Sequence, residues 1–395
     1  MRALLVAKGG PTVSDALEQP ADYDVDDPDS DQYESSREQA EALDLTVDER
    51  KLVTQPYDLG VKSISRDIEQ GRINLNIEYQ RKYIWDSGKA SRLIESLLLN
   101  VPIPVCYFAE DQSGNYEVID GLQRLTTIKN FLENETALSG LSVLPELDGK
   151  RFKDLAPRDQ RRLENRTIRC IVITDDSNPD IKFDVFERLN TGAAMLTAQE
   201  LRNSVYRGPF NDDLKKLAAE DFFTVLVGAS SNKRMDFEEL ILRFFALVDR
   251  LEAYKPPLRQ FLNNYMRAHR EATPDAALTI RFQECCEAVH DVLGTSPFKL
   301  AGSRNFVNKA MFDAIMVPIA FADRASLRAH AEPVRELIRA LGDNAEFLTA
   351  IGRATADRQR MLFRIGLVAD QLRAAGVHVD LPEGFGLPNP VTQTL

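Results

Sequence analysis

The sequence is poor in cysteine and histidine, the residues that build disulfide frameworks and zinc sites. Its 395 residues include four of each, and no two cysteines form a C-x-x-C pair. The histidines are far apart along the chain and match neither a zinc spacing nor a histidine-based nuclease motif. These absences argue against a disulfide-rich secreted protein and a zinc protein, so we expect a reducing cytoplasm.

Long apolar runs and the common nucleotide-binding signatures are absent as well. No run approaches the roughly 18 to 20 apolar residues of a membrane-spanning helix, so no membrane partner is expected. The stretch SGKAS at residues 87–91 has the Gly-Lys of a Walker loop, but it lacks the earlier glycine and the hydroxyl residue directly after Lys89. No Ser/His/Asp or Cys/His arrangement is present either. The sequence therefore indicates neither a P-loop NTPase nor a nucleophilic hydrolase of those kinds.

The net charge of −12 is concentrated in the first 50 residues. They contain 4 Lys and Arg against 14 Asp and Glu, whereas the rest of the chain contains 45 against 47. Low apolar content without periodicity over residues 10–45 predicts a disordered acidic leader. Two interpretations stay open, a solubilising tail and a segment that mimics nucleic acid and masks a basic groove. The nearly neutral body is compatible with such a groove.

Apolar periodicity divides the remaining chain into two parts. Residues 57–205 alternate short strands and helices, whereas residues 209–375 show helical spacing alone. YDLGVKSISRDIEQ is interpreted as the start of a helix that Gly71 ends. The predicted fold class is α+β, a small mixed sheet followed by an irregular α-helical bundle. The predicted division is residues 1–50 for the leader, 51–208 for the sheet domain, 209–380 for the helical domain and 381–395 for a C-terminal tail.

The stretch YEVIDGLQRLTTIKNFL, residues 116–132, places polar residues where a buried strand meets an amphipathic helix. A strand that ends in Asp120-Gly121 leaves free backbone N–H groups beside the positive end of a helix dipole, which favours an anion. Gly121 would allow close approach of a phosphate, and Arg124 would supply a bidentate donor. Asp120 could cap the helix, orient Arg124 or hold a metal. The alternative is a capped helix with a surface arginine.

Two further junctions carry polar clusters. YQRKYIW puts Gln80 and Arg81 after a strand, and FERLNTG puts Glu187 and Asn190 at a helix end. Ligands gather at such boundaries between elements.

Five sequence motifs between residues 57 and 320 occur in an order that resembles a known family. The combination resembles the DGQQR-motif domain, the N-terminal domain type of GmrSD-like, modification-dependent restriction systems. It implies a ParB/sulfiredoxin-like N-terminal domain, binding or hydrolysis of a nucleoside triphosphate (NTP), and a role in bacterial defence against foreign DNA. The boxes are IEYQRKYIWD, LIESLLLNVPIP, YEVIDGLQRLTTI, FERLNTGAAMLTAQELRN and RMDFEELILRFFAL.

A more distant likeness to ParB suggests roles for single residues. Arg81 resembles the arginine of the Q-P-R box, and Gly121 and Arg124 resemble the glycine and last arginine of the phosphate-binding G-E-R-R turn. Asn190 resembles the asparagine of the Glu-Asn pair that holds the nucleotide's metal, so Mg²⁺ is expected there with Glu187 as helper. Together the two resemblances imply a nucleotide site. Its expected catalytic residues are Asp120, Gln123 and Arg124, and its expected nucleotide-phosphate ligands are Gln80, Arg81, Gly121, Arg124 and Thr126.

Three departures from the two families concern the site and the reaction. Leu122 replaces the first glutamine of the DGQQR motif, and Leu189 replaces the metal-binding glutamate of ParB. The histidine motif of the HNH nuclease half found in complete GmrSD-type proteins is also absent. Cleavage of DNA by this chain alone is therefore not the first expectation.

Three functions follow as hypotheses. The first is a metal-assisted NTPase that regulates a defence response and acts on DNA directly or through a separate nuclease subunit. Such a protein could also form an oligomer. The second is a ParB-like nuclease that uses the same cleft, and the third is a non-catalytic DNA-binding or scaffold protein. The candidate DNA contacts are the arginines of PRDQRRLENRTIR, which are Arg158, Arg161, Arg162, Arg166 and Arg169.

Overall fold

A computed structural model describes residues 50–75, 83, 85–189, 196–228, 232, 234–300 and 307–382. The predicted leader, except Arg50, and the predicted tail beyond residue 382 lie outside the described residues. So do three of the predicted ligands, Gln80, Arg81 and Asn190.

A mixed sheet of five strands forms the centre of the N-terminal half. The strand order is β1-β5-β3-β4-β2. β1 and β5 are antiparallel, as are β3 and β4, whereas β3 is parallel to β5 and β2 is parallel to β4. The predicted α+β class with a small mixed sheet is therefore confirmed. The strands are β1 (Thr54–Gly60), β2 (Ile73–Asn74), β3 (Cys106–Glu110), β4 (Tyr116–Asp120) and β5 (Thr167–Ile173).

The edge strand β1 lies where the sequence predicted the start of a helix, so that prediction is wrong. YDLG was expected to lead into a helix, but residues 54–60 pair along their whole length with β5. Most of β1 is exposed, and Pro56 is tolerated because one side of an edge strand needs no backbone donor. The predicted helix begins only at Val61, and Gly71 follows its end with a φ of 73°.

Four helices cover one face of the sheet and enclose the first hydrophobic core. Strand residues alternate between faces with a period of two. Phe108, Val118 and Val172 therefore point into this core, together with the apolar stripes of the helices. The helices are α1 (Val61–Glu69), α2 (Ser87–Leu99), α3 (Leu122–Leu132) and α4 (Pro157–Glu164), with single 3₁₀ turns at Pro145–Leu147 and Phe152–Asp154.

The opposite face of the sheet packs against helices that continue into the second half of the chain. Ala109, Ile119 and Ile173 point into this second core, which also contains Leu201 and Val205. The helices are α5 (Pro179–Leu189), α6 (Ala198–Val205), α7 (Pro209–Ala218), α8 (Asp221–Val227), α9 (Asp236–Arg250), α10 (Leu258–His269), α11 (Ala276–Leu293), α12 (Lys309–Ala320), α13 (Arg324–Ala329), α14 (Ala331–Ala340), α15 (Ala345–Gly352) and α16 (Arg358–Ala374), with 3₁₀ turns at Leu251–Ala253 and Leu341–Asp343.

Ion pairs connect the sheet half to the helical half. In each, a carboxylate of the sheet half pairs with an arginine that follows α6 or lies in α10. Asp180 also accepts a 2.7 Å hydrogen bond from the hydroxyl of Tyr206. α5 and α6 lie before the predicted boundary at residue 208, yet they pack into the same core as the helices that follow it. The boundary stays a prediction. The pairs are Glu117–Arg207, Asp180–Arg267 and Glu187–Arg259.

A buried charge cluster lies inside the helical half. The carboxylate of Asp313 on α12 accepts two hydrogen bonds from Arg243, at 3.0 and 2.6 Å, and one from Arg364 at 3.0 Å. All three residues are at most 3% exposed. The cluster joins α9, α12 and α16 by directional bonds that apolar packing alone does not supply.

No helix among the described residues combines the length and the apolar character that crossing a bilayer requires.

Candidate functional site

The predicted strand-to-helix junction is present as the sequence indicated. β4 ends at Asp120, Gly121 adopts a left-handed conformation with a φ of 108°, and α3 begins at Leu122. A Cβ atom at position 121 would lie 2.6 Å from the sulfur of Cys106 on β3. The conformation and the packing of Cys106 thus each require glycine here, independently of any ligand.

The Arg124 side chain is held in place by hydrogen bonds to three other residues. Its Nη2 donates to Asp120 Oδ2 at 2.7 Å, and its Nη1 donates to the backbone carbonyls of Pro104 and Val105. The residue is 8% exposed. Arg124 therefore joins the junction to the loop before β3, and little of its guanidinium is open to solvent.

An open groove of about 450 Å³ lies beside this junction. One wall is α2, which presents four residues at helical spacing, and the floor is the loop of residues 102–104. The other wall is the Asp120–Arg124 pair. The lining residues are Trp85, Lys89, Arg92, Leu93, Ser96, Pro102, Ile103, Pro104, Asp120 and Arg124.

Two cations and one indole of this groove were not predicted as ligands. Lys89 and Arg92 are exposed on α2, and the Lys89 ammonium lies 4.8 Å from the ring centroid of Trp85. Asp86 caps α2 by accepting a 2.8 Å hydrogen bond from the Lys89 amide. SGKAS is therefore the capped first turn of α2 and not a phosphate loop. Two features of the sequence could have indicated these groove residues. They are the position of SGKAS next to Trp85 and the i, i+3 spacing of Lys89 and Arg92.

The other predicted residues of α3 are oriented differently. Gln123 and Thr126 are half-buried, and neither lines the groove. The neighbouring Thr127 is buried instead, donates to the Gln123 carbonyl at 2.7 Å and lies 2.9 Å from the hydroxyl of Tyr83. Thr127 thus connects α3 to the segment that leads into Trp85.

The predicted metal ligands are only partly described. Glu187 at the end of α5 forms an ion pair with Arg259 of α10, and its predicted partner Asn190 lies outside the described residues. Within the part of the chain that the structure describes, no three His, Cys, Asp or Glu side chains are grouped so as to hold a metal ion. Asp120 is the carboxylate that lines the groove.

The five candidate DNA-binding arginines separate into two groups. Arg158, Arg161 and Arg162 are exposed on α4. Arg166 donates to the carbonyls of Leu97 and Leu98 and to the Asn100 side chain, so it caps the C-terminal end of α2. Arg169 on β5 forms a two-point ion pair with Asp58 on β1, at 2.7 and 3.1 Å.

A buried carboxylate supports the groove wall from behind. Glu95 on α2 accepts hydrogen bonds from the amides of Val143 and Leu144, at 2.7 and 2.8 Å, and is 5% exposed. Burial by itself would raise the pKa of Glu95, but these bonds and the nearby Ser142 lower it, and the balance lies below the usual value. Glu95 therefore acts as an ionised anchor for the loop of residues 142–144.

Comparison with known proteins gives a family match for the sheet half. No curated protein matches the chain. Residues 61–207 match the family model described as GmrSD restriction endonuclease, N-terminal domain. The matched range runs from the first residue of α1 to just before α7, and it contains the groove and the β4–α3 junction. For these residues the expected likeness to a GmrSD-type N-terminal domain is confirmed.

Proposed function

We propose that the chain is a nucleotide-binding component of a restriction-like defence system, with an NTP bound in the groove beside the β4–α3 junction. One observation carries the proposal. An indole, two exposed cations and the Asp120–Arg124 pair all face the same open groove. That combination suits a ligand with one aromatic part and one polyanionic part.

The chemistry of each wall favours a particular part of the nucleotide. A base can stack on an indole, an interaction worth roughly 1 to 3 kcal/mol per base. Lys89 and Arg92 can neutralise phosphate oxygens, and their exposure means that this requires little desolvation beforehand. In the free protein Lys89 lies over the Trp85 ring. Binding would move Lys89 to the phosphates and free one face of the ring.

Mg²⁺ suits this site because it commonly binds through one or two protein carboxylates together with phosphate oxygens. Asp120, at the groove wall, is the described residue that would hold it. When bound, the ion would neutralise charge on the phosphates and so assist hydrolysis. Arg124 would orient Asp120 through the 2.7 Å hydrogen bond already present.

The test uses the single tryptophan of the chain as its reporter. Titration of ATP, GTP and CTP with Mg²⁺ should change Trp85 fluorescence and give heat in calorimetry. Lys89→Ala and Arg92→Ala should each weaken binding at least fivefold. The matched control is Lys129→Ala, which removes a lysine of α3 that pairs with Glu133 and does not line the groove.

Two results would overturn the proposal. One is the absence of both fluorescence change and heat with every nucleotide at millimolar concentration. The other is an equal loss of affinity in the Lys89 variant and the Lys129 control. Phosphate release measured on the same samples separates hydrolysis from binding alone.

A scaffold protein is the second candidate, and the bonds of Arg124 favour it. Because the carbonyls of Pro104 and Val105 and the Asp120 carboxylate already engage this guanidinium, the junction is also a complete structural cap. In that case the groove cations would be dispensable. Unchanged defence activity of the Lys89→Ala/Arg92→Ala protein in cells would support the scaffold function.

DNA remains the proposed macromolecular partner, with the exposed arginines of α4 as the contact. Arg158, Arg161 and Arg162 are the members of the predicted set that carry exposed charge without bridging two elements. Their combined replacement by glutamine should weaken DNA binding and flatten its salt dependence. Replacement of Arg166 should instead lower stability. An unchanged salt dependence in the triple variant would exclude this surface.

A further inference from the structure

Two of the four cysteines are lateral neighbours inside the sheet. Cys106 begins β3 and is the register partner of Cys170 on the parallel strand β5. Both are fully buried in the first core, on the face shared by Phe108 and Val172. Neighbouring strands lie roughly 4.8 Å apart, and disulfide-bonded cysteines have Cα atoms about 4.4 to 6.8 Å apart. The backbone register therefore suits a disulfide between them.

The two thiols also interact electrostatically. The hydrogen bond with Cys170 lowers the pKa of Cys106, burial opposes this, and the positive charge of Arg124 adds to the lowering. The same hydrogen bond raises the pKa of Cys170. The lateral register of the two buried cysteines places each sulfur where it can act on the other, as an attacking thiol and its resolving partner do.

The Cys106 sulfur also packs directly under the turn at Gly121. A Cβ atom at Gly121 would lie 2.6 Å from this sulfur and 3.5 Å from Nη2 of Arg124. Cys106 is therefore a structural support for the turn. Any reaction that moves its sulfur towards β5 removes that support from the junction that forms one groove wall.

The other two cysteines provide an internal contrast. Cys285 and Cys286 are consecutive residues of α11, where successive side chains point about 100° apart. Burial raises the pKa of both, that of Cys285 to about 12. They have neither the lateral register nor the ionisable sulfur of the first pair.

We propose that Cys106 and Cys170 are a redox-sensitive pair that a peroxide converts to an intramolecular disulfide, and that this bond withdraws the Cys106 sulfur from the Gly121 turn. The Cys106 thiolate attacks one peroxide oxygen, the O–O bond breaks, and a sulfenic acid and water form. Cys170 then displaces the hydroxyl group as a second water, and the S–S bond forms. Two thiols lose two electrons in total, and one peroxide becomes two waters.

The experiment treats the full-length protein with hydrogen peroxide and maps its peptides by mass spectrometry without reduction. A Cys106–Cys170 cross-linked peptide should appear slowly, because both sulfurs are buried and the turn must open first. Dithiothreitol should reverse the reaction. Cys285→Ser/Cys286→Ser should form the same cross-link, whereas Cys170→Ser should form none and should accumulate Cys106 sulfenic acid.

Trp85 emission tests the structural consequence in the same samples. Oxidation should shift the emission of the wild type and of the Cys285→Ser/Cys286→Ser protein, and it should leave Cys170→Ser unchanged. Absence of the cross-link, while the unfolded chain forms disulfides under the same conditions, would overturn the proposal. A cross-link without any emission change would overturn the effect on the turn. Neither result depends on whether the groove binds a nucleotide.

Discussion

The Asp120 carboxylate accepts a 2.7 Å hydrogen bond from Nη2 of Arg124, which joins the end of β4 to the first turn of α3 across Gly121. The two side chains differ in burial, since Asp120 is 39% exposed at its side chain and Arg124 is 10% exposed. More of the carboxylate than of the guanidinium is therefore open to the groove. The roles that the sequence predicted for the two residues in a ligand site stay predictions.

Arg124→Ala should lower the free energy of unfolding by about 1 to 3 kcal/mol, because the carbonyls of Pro104 and Val105 lose their donor. Denaturant unfolding measures the change. The sequence alone suggested a binding arginine whose loss leaves the fold intact. Arg92→Ala is the matched control, and its stability should stay within about 0.5 kcal/mol of the wild type because Arg92 is exposed. Equal stability of the two variants would contradict the anchoring role.

Gly121→Ala should destabilise the protein by about 1 to 3 kcal/mol through its left-handed backbone alone, with a further loss from contact with Cys106. Adding Cys106→Ala removes the sulfur and should recover only part of the stability, because the φ of 108° remains unfavourable for alanine. Thermal melts of the single and double variants give the comparison. Full recovery in the double variant would show that the backbone conformation contributes nothing.

Stability should depend on pH through Glu95. Its pKa is lower in the folded protein than in the unfolded chain, so its contribution is present above the unfolded pKa and is lost as pH falls through the folded pKa. Glu95→Gln should therefore be less stable than the wild type at neutral pH, and the difference should shrink below about pH 4. Urea unfolding from pH 7 to pH 3 measures this. A difference that does not change with pH would exclude an ionised Glu95.

Asp313→Asn should destabilise the helical half by about 3 to 5 kcal/mol, because it removes the charged partner of the buried Arg364 and leaves Arg243 paired with Glu239 at 3.5 Å. The matched control is Asp370→Asn, which breaks an exposed pair with Arg373 and should change stability by less than about 1 kcal/mol. Differential scanning calorimetry compares the two. Similar melting temperatures would mean that the cluster does not hold the helices together.

The sequence by itself determined the elements whose periodicity is strong. Val61 and Ile64 of α1 lie on a buried face as the spacing predicts, because an amphipathic helix has a single favourable face. In α9 the apolar residues are buried as expected, but the helix is buried on every side from Phe237 to Val248. The Asp-Gly pair likewise fixed the end of β4 and the start of α3, since few residues other than glycine adopt a φ of 108°.

Only the tertiary structure decided the features that depend on partners distant in sequence. β1 has no apolar alternation and becomes a strand because β5, more than 100 residues later, supplies its hydrogen bonds. Arg124 became an anchor because the loop before β3 brings two carbonyls to it. Lys89 and Arg92 line the groove because α2 packs beside α3. Propensity describes only local preference, and these assignments required knowing which surfaces meet.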